Sequence, residues 1–235
     1  MLTNTQINRA VTKKVALALD SINEQVVYVG GAVVSLYIDD LAAVDVRPTK
    51  DLDLTVKIAT LGELEELREA LNTRGFIQTS KDDVVCRFRY EDVLVDVMAT
   101  VPIGWAPGNR WFEQGFNMAF IFYLDNLAIR LLPLPYFLAA KFDAFFDRGI
   151  KDLWASHDYE DIVYLFNHTS DIAEQVLSSK ERVKMYLNEC ASKILTNNVL
   201  KQGIVSNLYF DGQEQRYEMI LKKLSNIANG LHHNT

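Results

Sequence analysis

Two aspartates one residue apart stand in the stretch RPTKDLDLTV, Arg47 to Val56, and a third, Asp96, stands in VLVDVMA. Asp51 and Asp53 fall in a run where polar residues alternate with Leu52, Leu54, Val56 and Ile58, the period of a strand with one buried face. That period turns both carboxylates to the same side. Like charges so close beside apolar neighbours repel unless something positive lies between them. With Asp96 from a later strand they form the kind of cluster that holds a hard divalent cation, Mg²⁺ or Mn²⁺, through oxygen ligands. Such a cluster could grip a triphosphate, lower the charge on its α-phosphorus and activate an attacking hydroxyl. A structural alternative uses the same residues: Asp51 closes a turn, Asp53 pairs with a lysine, and Asp96 faces solvent. Gly30-Gly31 weighs against it, because a strand ending in paired glycines that open a helix offers bare backbone N–H groups to an anion.

The elements that must position these groups follow from the apolar spacing. A helix is expected over residues 6–20, then the short strand Val26-Val27-Tyr28-Val29, then a buried helix over Ala32 to Ile38. Strand Asp51 to Ile58 is followed by an amphipathic helix, Leu61 to Asn72, with Gly75 just past its end. A short strand is expected over Phe76 to Thr79. Val84 to Tyr90 and Val93 to Met98 read as two strands around a tight Glu91-Asp92 turn. Val101 to Trp111 reads as a loop, and Phe116 to Tyr123 with Leu127 to Leu132 as a further hairpin. Beyond LPLP, which blocks strand and helix alike, the pattern turns helical: 136–146, a helix capped by Ser156 and running to about Phe166, 170–190 and 213–229. The fold class expected is α/β (α+β), a mixed sheet domain over residues 1–130 and a helical domain over residues 131–235 that closes a nucleotide cleft.

A chain of 235 residues, 49% of them hydrophobic, has ample material for a core. Its net charge of −7 excludes a surface that grips nucleic acid all over and leaves room only for a local basic patch. No signal peptide and no apolar run long enough to span a membrane is evident, so a cytoplasmic protein is expected. Cys86 and Cys190 are too few and too far apart for a disulfide framework and are expected to be buried and inert. Ser156-His157-Asp158 are adjacent, which rules out triad geometry and leaves helix capping. His168, His232 and His233 show no metal-ligand spacing, and the last two are expected to belong to a frayed end. Asn109, Arg110 and Trp111 could clamp phosphate and stack on a base from an exposed loop. Turn chemistry with a buried tryptophan explains the same three residues.

The order VYVGGAVVSLY, RPTKDLDLTV, VLVDVMA resembles the nucleotidyltransferase superfamily, whose members carry G-G or G-S before a helix, then D-x-D, then a third aspartate. More narrowly, NRWFEQGF, LPLPYFLAAKFDAFFDRG and SHDYEDIVYLFN resemble its AbiEii/AbiGii toxin-type branch, the likeness covering roughly residues 25–168. The resemblance implies that Gly30 and Gly31 contact the triphosphate of an NTP donor and that Asp51, Asp53 and Asp96 hold the metals. It also implies that Lys141 meets phosphate charge, where a helix lysine snorkelling to solvent is the alternative. One of Asp158 and Asp161 would orient the acceptor hydroxyl or Lys141, and their spacing does not choose between them. Gly31 departs from the pattern, since many relatives place a serine there. The long interval from Gly31 to Asp51 is similar to the CCA-adding and poly(A) polymerase branch, but Val34-Ser35 stands where that branch has an arginine-aspartate pair. What is implied is metal-dependent transfer of an NMP to an acceptor hydroxyl, with a tRNA 3′ end as acceptor, in a toxin–antitoxin or phage-defence role with a cognate antitoxin. The rivals are transfer to a small molecule such as an aminoglycoside or to a protein side chain, and a nucleotide-binding regulator without turnover.

Overall fold

The structure, a computed structural model, describes residues 3–79, 82 and 84–230; His232 and His233 lie outside them. The chain divides into two compact units, Met1–Ser35 with Val44–Pro133, and Leu36–Ala43 with Leu134–Thr235.

In the first unit α1 (Thr3–Leu19) precedes β1 (Val26–Val29), a run buried along its whole length, as a strand inside a sheet requires. The 3₁₀ turn Gly31–Leu36 follows. The expected α-helix over Ala32 to Ile38 is therefore corrected to six residues of tighter winding, where adjacent β-branched Val33 and Val34 resist a regular α-turn. Then come β2 (Asp51–Val56), α2 (Leu61–Thr73), β3 (Arg87–Tyr90) and β4 (Val93–Ala99). Thr60 caps α2, its hydroxyl accepting from the Glu63 N–H at 3.2 Å, and the Glu63 carboxylate reaches back past the cap to accept from the Ala59 N–H at 2.8 Å. Phe76 to Thr79 is not a strand; its one ladder contact is an isolated bridge, Ile77 to Arg89.

Arg110–Phe116 is the helix α3, which takes in the end of the loop expected to Trp111 and the start of the strand expected from Phe116, and β5 (Phe120–Leu124) and β6 (Leu127–Leu131) form the next hairpin. The sheet runs β3-β4-β2-β1-β6-β5. β1 is antiparallel to β2 and parallel to β6, while β2 is parallel to β4. Both hairpins turn on two residues whose first member has positive φ, Glu91 at 51° and Asp125 at 55°, the backbone twist that suits a tight hairpin. Neighbouring lysines of α1 reach both turns, Lys13 to Asp125 at 2.7 Å and Lys14 to Glu91 at 2.7 Å.

The second unit is helical: α4 (Leu134–Asp147), α5 (His157–His168), α6 (Ile172–Leu177), α7 (Glu181–Thr196), α8 (Asn198–Ser206) and α9 (Gln213–Asn229). Pro135 does not block α4. It sits in the first turn, where no intrahelical partner for its missing N–H is needed. The single helix expected over 170–190 is two, broken at Ser178-Ser179-Lys180. Unexpected α8 is capped by Asn197, whose side chain accepts from Val199 N–H at 2.9 Å.

The short segment 36–43 is fastened to this unit by Asp40, which accepts from His168 Nδ1 at 2.8 Å and from Arg216 at 2.9 Å. The other ring nitrogen of His168 takes the Asn167 amide at 3.0 Å, so the imidazole is a neutral donor toward Asp40. Burial, helped by the positive charge of Arg216, holds His168 below its ordinary value of 6.5. The hydrogen bonds from His168 and then Arg216 hold Asp40 far below 3.8. Because folding favours neutral imidazole, stability is full above pH 6.5 and declines as pH falls toward the depressed value. Asp40 adds a second loss, below 3.8. Urea unfolding between pH 7 and 5 should show the first decline in the wild type and lose its slope in His168→Asn; an equal slope in both would place the titration elsewhere.

Candidate active site

Strand register assembles the first cluster. β2 and β4 pair in parallel with Asp53 beside Asp96 and Asp51 two positions earlier, so all three carboxylates share one face. In the β3–β4 hairpin Arg87 pairs with Asp96, which puts its guanidinium on that face too. Its Nε and Nη2 donate to the two oxygens of Asp96, each at 2.7 Å, and Nη2 also reaches Asp51 Oδ2 at 3.2 Å. This bidentate fork is the strong form of a charge-assisted hydrogen bond, and it neutralises a carboxylate whose side chain is only 12% exposed. The same hydrogen bonds to Asp96 raise the already high pKa of Arg87, so it is permanently charged. Thr49 Oγ1 donates to Asp51 Oδ1 at 3.0 Å and fixes that carboxylate from the other side.

Gly30 ends β1 with φ of 76°, and a Cβ built there would lie 1.8 Å from Asp53 Oδ2. The first glycine is thus needed twice, for its backbone conformation and for the space Asp53 fills. At Gly31 a Cβ would meet the tip of the Arg47 side chain, 2.2 Å from Nη2, the far end of a long side chain and not backbone. The following 3₁₀ turn is short, so the glycines bring backbone N–H groups with little aligned helix dipole behind them.

The donors suit Mg²⁺ or Mn²⁺, being hard carboxylates on one rigid face. Among the described residues no three His, Cys, Asp or Glu side chains converge as a ready-made metal cage. Between Asp51 and Asp96 the positive partner is Arg87. It is the residue the sequence reading missed, although the signal was present: with Tyr90 opposite Val93 across a two-residue turn, stepping outward along both strands sets Arg87 opposite Asp96.

The second unit holds the other cluster. Lys141 of α4 is 7% exposed and does not snorkel. Its Nζ donates to Asp161 Oδ2 at 2.7 Å and lies 3.5 Å from Asp158 Oδ1. Arg148 in turn holds Asp158 Oδ2 at 2.8 Å. Asp158 and Asp161, three apart on α5, therefore both face Lys141, with Asp161 the closer and more deeply buried. Ser156 caps α5 by accepting from the Tyr159 N–H, and His157 is exposed, as capping requires and a triad does not.

The exposed clamp of Asn109, Arg110 and Trp111 is not there. Asn109 is the cap of α3, accepting from the Trp111 N–H at 2.8 Å, and the indole is 1% exposed, so its faces are closed to a base. Arg110 alone is exposed, its guanidinium carbon 4.8 Å from the Trp111 ring centroid. Both cysteines are buried, and burial pushes the Cys86 thiol up to about 11 and the Cys190 thiol up to about 12, which makes them poor nucleophiles. Among the described residues no helix is long and apolar enough to cross a membrane.

Residues 15–225 match the model of a nucleotidyl transferase family, and a match over so much of the chain makes it a nucleotidyltransferase by descent. The family is the AbiEii nucleotidyl transferase toxin of type IV toxin–antitoxin systems, and the chain belongs to it. No curated protein matches. Among solved structures, one similar chain is an antigenic nucleotidyltransferase-like protein from Paracoccidioides brasiliensis, at 15% identity and a TM-score of 0.47 over 88% of this chain and 96% of that one.

Two stability measurements check this geometry. Gly30→Ala should cost at least about 2 kcal/mol, from left-handed strain and displacement of Asp53, whereas Gly31→Ala should cost about 1 kcal/mol or less. Equal losses on chemical denaturation would contradict the close approach. Lys141→Met should cost roughly 3 kcal/mol by removing the buried ammonium that pairs with Asp161, Asp158 keeping Arg148, and Asp161→Asn added to it should recover part of that loss. Simple additivity would mean that Lys141 and Asp161 do not act as a pair.

Proposed function

We propose that the protein transfers a nucleoside monophosphate from an NTP to an acceptor hydroxyl, with Asp51, Asp53 and Asp96 holding two Mg²⁺ ions. The observation that carries this reading is the shared face of three carboxylates in flush register, with Gly30 packed against Asp53. When bound, the ions would neutralise charge on the triphosphate and favour attack at the α-phosphorus. A new bond forms from the acceptor oxygen to that phosphorus, the bond to the β-bridging oxygen breaks, and pyrophosphate leaves. The proton of the acceptor hydroxyl passes to a carboxylate of the cluster. Backbone N–H groups at Gly30 and Gly31 would receive phosphate oxygens in place of the serine hydroxyl common among relatives.

Membership of the toxin family supports a toxin–antitoxin setting with a cognate antitoxin. For the acceptor we propose RNA, specifically the 3′ end of tRNA. Purified protein incubated with each α-labelled NTP, Mg²⁺ and total RNA should place label in a tRNA-sized band. Label on protein alone would move the acceptor to a side chain, and no label under any NTP would refute transfer. In the same assay Asp53→Asn should lower the rate on the order of a hundredfold or more, the scale of one lost electrostatic stabiliser, with the circular dichroism spectrum unchanged.

A further inference from the structure

The fork of Arg87 occupies both oxygens of Asp96 and one of Asp51. An ion held by the cluster would draw on those same carboxylate oxygens, and an oxygen accepting from a guanidinium N–H cannot also coordinate a metal along that direction. We propose that Arg87 is a resident counter-ion of the carboxylate face, which a divalent cation must displace to bind. This rests on the reading that Asp51, Asp53 and Asp96 are the metal-holding groups.

The two kinds of partner differ in how firmly they are placed. The carboxylates stand on β2 and β4, whose parallel ladder continues unbroken from Asp51–Leu94 to Val56–Ala99. Arg87 stands on β3, the outer strand of the sheet, at the end of a long flexible side chain that is 19% exposed. Asp51, at 36% side-chain exposure, marks the open side from which an ion can enter. Displacement thus needs a rotation of one side chain and no change in the ladder. Without metal, the guanidinium relieves the repulsion among the acids; with metal, the ion takes over that duty.

Arg89 provides a charge-matched control. It lies two positions along the same strand, and its guanidinium is held by Asp82, at 2.6 and 2.9 Å, instead of by the cluster. Mn²⁺ titration of the metal-free protein, followed by the electron paramagnetic resonance signal of free Mn²⁺, measures the competition with no need for turnover. Arg87→Gln should bind Mn²⁺ on the order of tenfold more tightly than wild type, the scale of one or two charge-assisted hydrogen bonds no longer opposing the ion. Arg87→Lys, which keeps the charge and the fold but lacks the fork, should fall between the two, and Arg89→Gln should match wild type. Unchanged or weaker binding in both Arg87 variants would overturn the proposal, as would equal tightening in Arg89→Gln, which would reduce the effect to bulk charge. If wild type binds Mn²⁺ at a site that Asp53→Asn abolishes while the Arg87 variants bind no tighter, only the counter-ion fails. If none of these proteins binds Mn²⁺, the metal-holding role of the carboxylates fails and takes the counter-ion with it.

Discussion

The flush parallel ladder between β2 and β4 fixes Asp53 beside Asp96, so the distance between like charges is set by backbone hydrogen bonds and not by any side-chain choice. No rotamer change within the strands can spread these charges far apart. A positive partner is therefore a structural requirement of the sheet. The surroundings serve that constraint. Continuously buried β1 anchors the centre of the sheet, and its last residues turn through Gly30 so that Asp53 can lie against bare backbone. Thr49 holds Asp51, and the β3–β4 hairpin delivers Arg87.

The helical unit solves a related problem with a lysine. Lys141, Asp158 and Asp161 are buried together, and the pairing offsets a desolvation cost that any one of them alone would impose. Such a cluster is weak as a source of stability relative to apolar packing, but it defines one relative placement of α4 and α5, since any slip leaves a charge unpaired. Asp40 applies the same logic to the short 36–43 segment. Its two partners, His168 and Arg216, come from helices far apart in sequence, and the neutral imidazole leaves the arginine to supply the charge.

Local rules carried the sequence reading a long way. Period-two alternation put Asp51 and Asp53 on one face, the Glu91-Asp92 turn ended one strand and began the next, and Ser156 announced α5. Where the reading failed, the missing information was mostly long-range or masked. The break between α6 and α7 was hidden because Ile172, Val176, Val183 and Leu187 keep helical phase across it, all of them buried. Trp111 looked like an exposed stacking group because glycine and proline crowd the residues before it. Asn109 as a cap and the apolar spacing of Trp111, Phe112, Gly115 and Phe116 describe a short buried helix instead. The parallel pairing of β2 with β4, with a helix and another strand between them in the chain, is fixed by no local signal. Three acids in sequence order could be named, but not their mutual register.

Arg87 shows why the turn at the far end of a hairpin belongs to the site. Its position opposite Asp96 follows from the two-residue Glu91-Asp92 connection, with Glu91 at positive φ. One residue more in that turn would shift the register, and because side chains alternate, it would carry the guanidinium to the other face of the sheet. Asp96 and Asp51 would then keep their ladder and lose this guanidinium. Lys14 of α1, paired with both Glu91 and Asp92, reaches this turn from the other side, although exposed ion pairs of that kind contribute little to stability. What places the guanidinium is the hairpin register itself. A feature with no atom near the carboxylates thus decides whether their charge is balanced.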